Sequence, residues 1–437
     1  MLTGKIYPPG FLPPSRAGSI PVVRPQRQLL IEMKSSAISP SAAADSPSLP
    51  SVSLPGKSPS SVTLAAILAE AGIRINPANP EPWDLIVRDE MQFARRIMSP
   101  FKNGLTELGD MYVEGIWDCD DLAEYFYRCL SSGLNARFYH SLPNVLQYWV
   151  GRLLNCQTKR KSARDISSHY SLGPIFEITL DPTMAYTCGY WKDGVSNVHE
   201  SQLAKYDLAC RKLGLEPGME ILDTGCGWGG FLKYAVERHG LRHGTGISIS
   251  HDQIEIGRKR CEGLPVSIIF KDYRDLEGSF DRVSSFGMFE HVGPKNYRTY
   301  CEKVHEVLKP GGLFLLHTFG NINPSPTLRT PEVEWVNQHI FPGLVNPSYG
   351  QIGAAADGLF TVMDVQEFGA YYEPTLLGWH ENFENGWPSI KHRYDERFYR
   401  MWRYYLLICA GAFRSGNFRL WQTVFGKGYE GVYQAAR

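Results

Sequence analysis

The stretch Glu220-Ile-Leu-Asp-Thr-Gly-Cys-Gly-Trp-Gly-Gly230 constrains the chain more than any other. Ile221 and Leu222 close an apolar run with the character of a buried strand. Asp223, Gly225, Gly227 and Gly229 predict a tight turn, and Phe231 to Glu237 carries helical spacing. A ligand can lie against backbone at the carboxyl end of a strand only where no side chain intervenes, which is what glycine provides. The turn therefore reads as a ligand cradle. It closes with Trp228-Gly229-Gly230 and not with the Gly-Lys-Ser or Gly-Lys-Thr of a phosphate loop. Gly225, Gly227 and Gly230 satisfy G-x-G-x-x-G, so the glycines alone leave nicotinamide dinucleotide and S-adenosylmethionine both open.

Five apolar runs recur around this turn: Ile221 to Asp223, His243 to Ile249, Pro265 to Phe270, Phe280 to Phe286 and Leu313 to His317. Helical patterns at Trp228 to His239, Asp252 to Cys261 and Asn296 to Leu308 fall between them. Alternating strands and helices predict an α/β fold with a mostly parallel sheet covered on both faces, whose ligands sit at the strand carboxyl ends. Those ends carry Asp223, Ser248 to Gln253, Lys271-Asp-Tyr273, Gly287-Met-Phe-Glu-His291 and His317-Thr-Phe-Gly320. A dinucleotide site wants an acid after the second strand, and Gly246-Ile-Ser-Ile-Ser250 has none, so Gln253 is left to hold the ribose. Asp272 suits the exocyclic amine of an adenine with Tyr273 stacked on its ring, and serves equally well as a helix cap.

At 437 residues the chain is long enough for two domains, and Lys plus Arg (45) balances Asp plus Glu (45), so no global field attracts nucleic acid. The nine cysteines are scattered with no Cys-x-x-Cys spacing, which fits free thiols in a reducing, cytoplasmic setting, and no metal site is expected. The greasiest run, Leu406 to Phe413, is far too short to span a bilayer. Residues 1–62 are rich in Pro and Ser and read as a disordered leader, or as an over-extended start with Met33 the true first residue. From Ser61 a small, mostly helical domain follows, with a stripe at Leu64, Ile67, Leu68 and Ala71, a strand at Trp83 to Val87, and a second stripe at Leu122, Phe126, Cys129 and Leu130. It ends near the basic run Lys159-Arg-Lys161, a solvated face that could also touch anionic headgroups.

Further residues gain meaning only together. Cys188, Glu290, His317 and Tyr372 each have a bland explanation alone, as buried thiol, core polar group or packing ring. They lie, however, in Leu180-Asp-Pro-x-Met-x-Tyr-Thr-Cys-x-Tyr-Trp191, Gly287-Met-Phe-Glu-His-Val-Gly-Pro-Lys-Asn-Tyr297, Phe314-Leu-Leu-His-Thr318 and Phe368-Gly-Ala-Tyr-Tyr-Glu373. With Leu222-Asp-x-Gly-Cys-Gly-Trp-Gly-Gly230, Asp272-Tyr-Arg-Asp-Leu276, Tyr404-Tyr405 to Phe413 and Leu420-Trp-Gln422, these segments resemble the cyclopropane fatty acid synthases from about residue 63 to the end. The glycine loop is generic to methyltransferases; the Cys188 and Glu290 segments are specific to this lipid-modifying group.

The resemblance implies a class I methyltransferase Rossmann-like domain over 158–437 and a helical lipid-engaging domain over 63–157. It implies S-adenosylmethionine held by Tyr186, Thr187, Asp223, Gly225, Gly227, Ser248, Ile249, Gln253, Asp272 and Tyr273. It further implies a bicarbonate base held by Cys188, Glu290, His317 and Tyr372 with the Phe319 backbone, and a homodimer among the assemblies. The partner would be a phospholipid bilayer met from its surface, not nucleic acid. Methyl transfer to an isolated alkene generates a carbocation, so the site must exclude water and line the cation with aromatic faces. Tyr186, Tyr190, Trp191, Phe289, Phe319 and Tyr372 are the candidate suppliers. Thr187, Thr224 and Ser248 stand where this group often has Ser, Ile and Thr, and Phe319 stands where a smaller aliphatic residue is expected. A methyl-branching relative and a non-catalytic lipid-binding protein on the same fold are the alternatives. Retention of all four anion contacts favours ring closure over the first, and the intact glycine loop speaks against the second.

Overall fold

The computed structural model describes residues 59–99, 104–134, 157–158, 173–322 and 331–437. Nearly all of the expected leader and the Lys159-Arg-Lys161 run lie outside the described residues. The leader boundary moves, because helix α1 (Pro59–Ala69) already opens inside the span read as disordered.

The amino-terminal part is built from α1, α2 (Glu90–Ile97), α3 (Gly104–Val113) and α4 (Leu122–Ser131). Asp89 and Asp121 cap α2 and α4 by accepting from the backbone N–H groups of Gln92 and Glu124, satisfying donors that a helix start leaves open. The expected strand at Trp83 to Val87 shrinks to β1 (Ile86–Val87), paired antiparallel with β2 (Trp117–Asp118). Asp84 turns inward, buried, and accepts from the Arg74 guanidinium at 2.6 Å and from the Glu81 N–H at 2.9 Å, while Leu85 pairs with Ile75 in an isolated parallel bridge instead of extending β1.

The main sheet contains β3 (Glu220–Thr224), β4 (His243–Ser248), β5 (Val266–Phe270), β6 (Phe280–Phe286), β7 (Leu308–Asn321), β8 (Thr361–Glu367) and β9 (Phe418–Lys427). Its order is β5-β4-β3-β6-β7-β9-β8; the first five strands are parallel, and β9 runs antiparallel to both β7 and β8. The five expected runs become β3 to β7, while β8 and β9 are additions. The chain steps outward from β3 to β4 and β5, then returns to lay β6 on the other side of β3. That reversal opens a crevice at the strand carboxyl ends.

Helices α7 (Gly230–His239), α8 (His251–Arg260) and α9 (Tyr297–Val307) make the crossovers, and α6 (Val198–Leu213) precedes β3. A short α5 (Ile175–Thr179) leads into the loop before α6, and α10 (Pro331–His339) and α11 (Tyr349–Ala356) follow β7. Two long helices, α12 (Tyr372–Ile390) and α13 (Glu396–Arg414), separate β8 from β9. The run Leu406 to Phe413 lies within α13, with Leu406, Leu407 and Ala410 to Phe413 buried, and no described helix is long and apolar enough to cross a membrane.

The amino-terminal helices share one apolar core with α5, α6, α10, α12 and α13, so the two expected domains are packed together. Arg414 ties α13 to α4 and α12, donating to Glu124 at 2.8 Å and Glu373 at 2.6 Å. Close approach depends on Gly411, where an added Cβ would lie 2.4 Å from the Ala123 carbonyl and 2.8 Å from Phe126 Cβ. Gly411→Val is expected to destabilise the protein by about 1–3 kcal/mol through overpacking, measured as a lowered denaturant midpoint at unchanged slope.

Candidate active site

Two adjoining cavities occupy the crevice. The first follows the glycine turn. Gly225 (φ +131°) brings the chain so close to Met288 that an added Cβ would sit 2.8 Å from that side chain, and Gly230 clears the Thr183 carbonyl, 2.3 Å from where its Cβ would be. All ten residues assigned to the methyl donor line this cavity: Tyr186, Thr187, Asp223, Gly225, Gly227, Ser248, Ile249, Gln253, Asp272 and Tyr273. At the β3 end, Asp223 is buried with Oδ1 lacking a hydrogen-bond partner, and burial pushes its carboxyl up to about 7. After β4, the Ser248 hydroxyl donates to Gln253 Oε1 at 2.8 Å, which leaves the Gln253 amide as a donor at the place where the usual acid is missing. After β5, Asp272 caps the 3-10 turn Tyr273–Asp275 by accepting from the Arg274 N–H, and its carboxylate is held by the Arg274 guanidinium at 2.9 Å. The capping role of Asp272 is thus realised in a residue that also lines the cavity.

The second cavity is larger and apolar. Leu64 and Leu68 of α1, Tyr125 and Phe126 of α4, Trp335 and Val336 of α10, and Tyr405, Ile408, Cys409, Ala412 and Phe413 of α13 contribute to its walls. Cys188, Glu290, His317, Phe319 and Tyr372 line the same cavity, brought together from four separate segments of the chain. The two cavities share Tyr186, Thr187, Gly287 and His291 as lining, so they meet at that partition.

The polar group is held in a dry setting. Glu290 is fully buried on a 3-10 turn after β6; its Oε1 accepts from the Phe319 N–H at 2.8 Å, and its Oε2 has no hydrogen-bond partner. Burial pushes the Glu290 carboxyl up to about 7. Neither ring nitrogen of His317 has a partner, and burial, assisted by the Lys205 and Lys212 charges on α6, holds this imidazole neutral well below its usual value. Burial also raises the Cys188 thiol, which directs its S–H toward the carbonyls of Gly189 at 3.3 Å and Phe368 at 3.8 Å. Tyr372 packs on Phe413 with ring centroids 4.4 Å apart. A neutral thiol beside a neutral imidazole is not a nucleophilic pair, because the thiolate is the reactive form. What the group offers is an acceptor in Glu290 Oε2 and hydrogen-bonding nitrogens in His317, with no protein partner for either: a fit for a small ligand that both donates and accepts.

Glu290 has a consequence for stability. A carboxyl raised in the folded state favours folding below its unfolded value near 4.5, and that advantage is lost as pH rises through about 7. Glu290→Gln removes the titrating group, so the melting temperature of this variant relative to the unsubstituted protein is expected to climb as pH rises from about 4.5 to 7. A difference independent of pH in thermal melts would contradict it.

Of the six aromatic residues expected around the cation, only Tyr186, Phe319 and Tyr372 line the acceptor cavity. Phe289 stacks on Tyr297 at 4.3 Å within the opposite core, since consecutive residues of a 3-10 turn point about 120° apart and Glu290 takes the inward direction. Tyr190 packs on Phe368 and Tyr371, and Trp191 donates to Thr375, both turned away where Gly189 abuts Ser201. Phe341, Tyr405 and Phe413 line the cavity instead. Sequence reasoning also passed over His291 on the partition, whose imidazole burial lowers to about 4, although it stood beside Glu290 in the quoted segment.

Residues 157–423 match the family model for mycolic acid cyclopropane synthetase. The chain is 42% identical over 376 residues to the cyclopropane-fatty-acyl-phospholipid synthase of Escherichia coli K12, covering 85% of this chain and 94% of that one. Among solved structures it resembles the cyclopropane synthase MmaA2 of Mycobacterium tuberculosis, with TM-score 0.58 and 28% identity over 61% of this chain and 98% of that one. It also resembles the mycolic acid cyclopropane synthase CmaA1 solved with SAH and CTAB, with TM-score 0.57 and 30% identity over 61% and 98%. The fold is that of the class I S-adenosylmethionine-dependent methyltransferases.

Proposed function

The chain belongs to the mycolic acid cyclopropane synthetase family of S-adenosylmethionine-dependent methyltransferases, and from that premise we propose that it converts the cis double bond of an unsaturated phospholipid acyl chain into a cyclopropane ring. The observation that carries this reading is the position of Cys188, Glu290, His317, Phe319 and Tyr372 in an apolar cavity that meets the donor cavity at Tyr186 and Thr187.

The glycine turn, Gln253, and Asp272 with Tyr273 hold the donor's nucleoside, and Asp223 accepts from its ammonium group. The apolar walls exclude water while Tyr186, Phe319 and Tyr372 present ring faces to the developing cation. Bicarbonate fits the hydrogen-bonding group: Glu290 Oε2 accepts its hydroxyl hydrogen, and His317 and Tyr372 donate to its oxygens. When bound, this anion supplies the base that removes a proton from the new methyl group, so that the ring closes. A branch-forming enzyme has no comparable need of an anion cradle, and this favours ring closure over a methyl-branched product.

The enzyme is proposed to work from the surface of the bilayer on its cytoplasmic side, and as a homodimer. Co-sedimentation with anionic liposomes and light scattering test the two statements, and an unbound monomer would contradict both. The activity itself is tested with vesicles of monounsaturated phospholipid and S-adenosylmethionine, before and after removal of carbon dioxide and bicarbonate. The expected result is a gain of one methylene with cyclopropane proton signals, lost on bicarbonate removal and restored by its addition. A methyl-branched product would contradict ring closure, and a rate indifferent to bicarbonate would contradict the assigned base.

A further inference from the structure

We propose that Lys205 is a positioning residue of the donor cavity: with Gln202 it clamps Thr187 from behind, so that the Thr187 hydroxyl can only donate, and donates to the carboxylate of the methyl donor's amino-acid group. The inference rests on the reading of that cavity as the S-adenosylmethionine site.

Lys205 lies on α6, fully buried, with its ammonium near the rings of Tyr206 and Phe286. It donates to Thr187 Oγ1 at 2.6 Å and to Gln202 Oε1 at 2.5 Å, and the Gln202 amide in turn donates to the Thr187 carbonyl at 2.8 Å. Both ends of Thr187 are therefore held by one turn of α6. The remaining group of Thr187 is fixed as well. Its methyl packs on Gly287 (φ +63°), where an added Cβ would sit 2.8 Å away. With the methyl against Gly287 and the oxygen accepting from an ammonium, which has no lone pair to offer, the hydroxyl hydrogen is the one free variable. It must turn to an acceptor, and Thr187 lines both cavities.

The layout of the donor cavity identifies that acceptor. Asp272 and Tyr273 mark the nucleoside end, and the Arg274 cation there is engaged with Asp272. Asp223, close enough for its charge to act on Lys205, presents an unpartnered carboxylate oxygen suited to an ammonium. The other half of an amino-acid zwitterion needs a donor backed by positive charge, and Lys205 stands behind the hydroxyl that provides it. Burial pulls the Lys205 ammonium down to about 7, toward a free amine that would offer a lone pair; the carboxylates of Asp181 and Asp223 act in the opposite direction, and a bound carboxylate beyond Thr187 adds to them and holds the charged, donor-only form.

Calorimetric titration of the full chain with S-adenosylhomocysteine, and with 5′-methylthioadenosine, which keeps the nucleoside but lacks the amino-acid group, tests the clamp. Binding of S-adenosylhomocysteine by the unsubstituted protein tests the donor reading on its own, and its absence would overturn that reading together with the inference. Given that binding, Lys205→Met and Thr187→Val are each expected to weaken S-adenosylhomocysteine about tenfold or more while leaving methylthioadenosine unchanged. The double variant is expected to be no weaker than the weaker single one, because both substitutions remove one unit. Unchanged S-adenosylhomocysteine affinity in Lys205→Met, equal losses for both ligands, or additive losses would each overturn the clamp. If Lys205→Met does not fold, Thr187→Val decides: full affinity for S-adenosylhomocysteine in that variant overturns the proposal.

Discussion

Glu290→Ala is expected to abolish product formation, with a rate loss of about 10²–10⁴-fold, while S-adenosylhomocysteine still binds. The separation follows from the geometry. Glu290 faces the acceptor cavity, where its Oε1 anchors the Phe319 N–H and its Oε2 is left for a ligand, whereas the donor cavity is built from the glycine turn and the ends of β3 to β5. Alanine removes both functions at once and leaves the buried Phe319 N–H without its acceptor. Glu290→Gln separates the two: its amide oxygen keeps the Phe319 contact, so the fold is retained, yet it cannot hold the anion's hydroxyl as a carboxylate does. Both variants are therefore expected to be inactive in the vesicle assay, with near-normal calorimetric binding of S-adenosylhomocysteine. Substantial turnover by Glu290→Gln would remove Glu290 from the chemistry.

The second large effect is expected in the other cavity. At Gly225 the φ of +131° lies where L side chains are strongly disfavoured, and a Cβ would also press on Met288 at 2.8 Å. Gly225→Ala must shift the turn, at a strain of about 1–3 kcal/mol, and donor affinity is expected to fall about 10–100-fold. Calorimetric titration with S-adenosylhomocysteine reads the loss, and unchanged affinity in Gly225→Ala would mean that the turn is not shaped by the contact with Met288.

The contrast between these cavities also marks how far the sequence could be read. The donor cavity was legible from elementary rules, since strand ends in an alternating α/β chain converge and Asp223, Gln253 and Asp272 each stand at one. The acceptor cavity was not, because Cys188 and Tyr372 come from segments whose approach to β6 and β7 is set by packing, not by local pattern; only resemblance gathered them. Three of the six aromatic assignments, Tyr190, Trp191 and Phe289, failed for a local reason. Phe289 and Glu290 are adjacent on a 3-10 turn and cannot both face inward, and Gly189 against Ser201 turns Tyr190 and Trp191 away. Strands β8 and β9 escaped notice because β9 is buried along most of its length and shows no clean alternation, while β8 mixes exposed Val362 and Val365 with buried Asp364. Lys205 carried no signal at all. A lone lysine in a helix reads as a solvated charge, and only its burial against Thr187 and Gln202 reveals otherwise.

The most direct test of the central claim follows the transferred carbon itself, using S-adenosylmethionine with a fully deuterated methyl group and vesicles of monounsaturated phospholipid. If the Glu290 and His317 site serves to deprotonate the new methyl group, the product is a cyclopropane whose ring methylene has lost one deuteron to solvent. A product that retains the intact deuterated methyl group would show that no base acts on it, and would contradict the account.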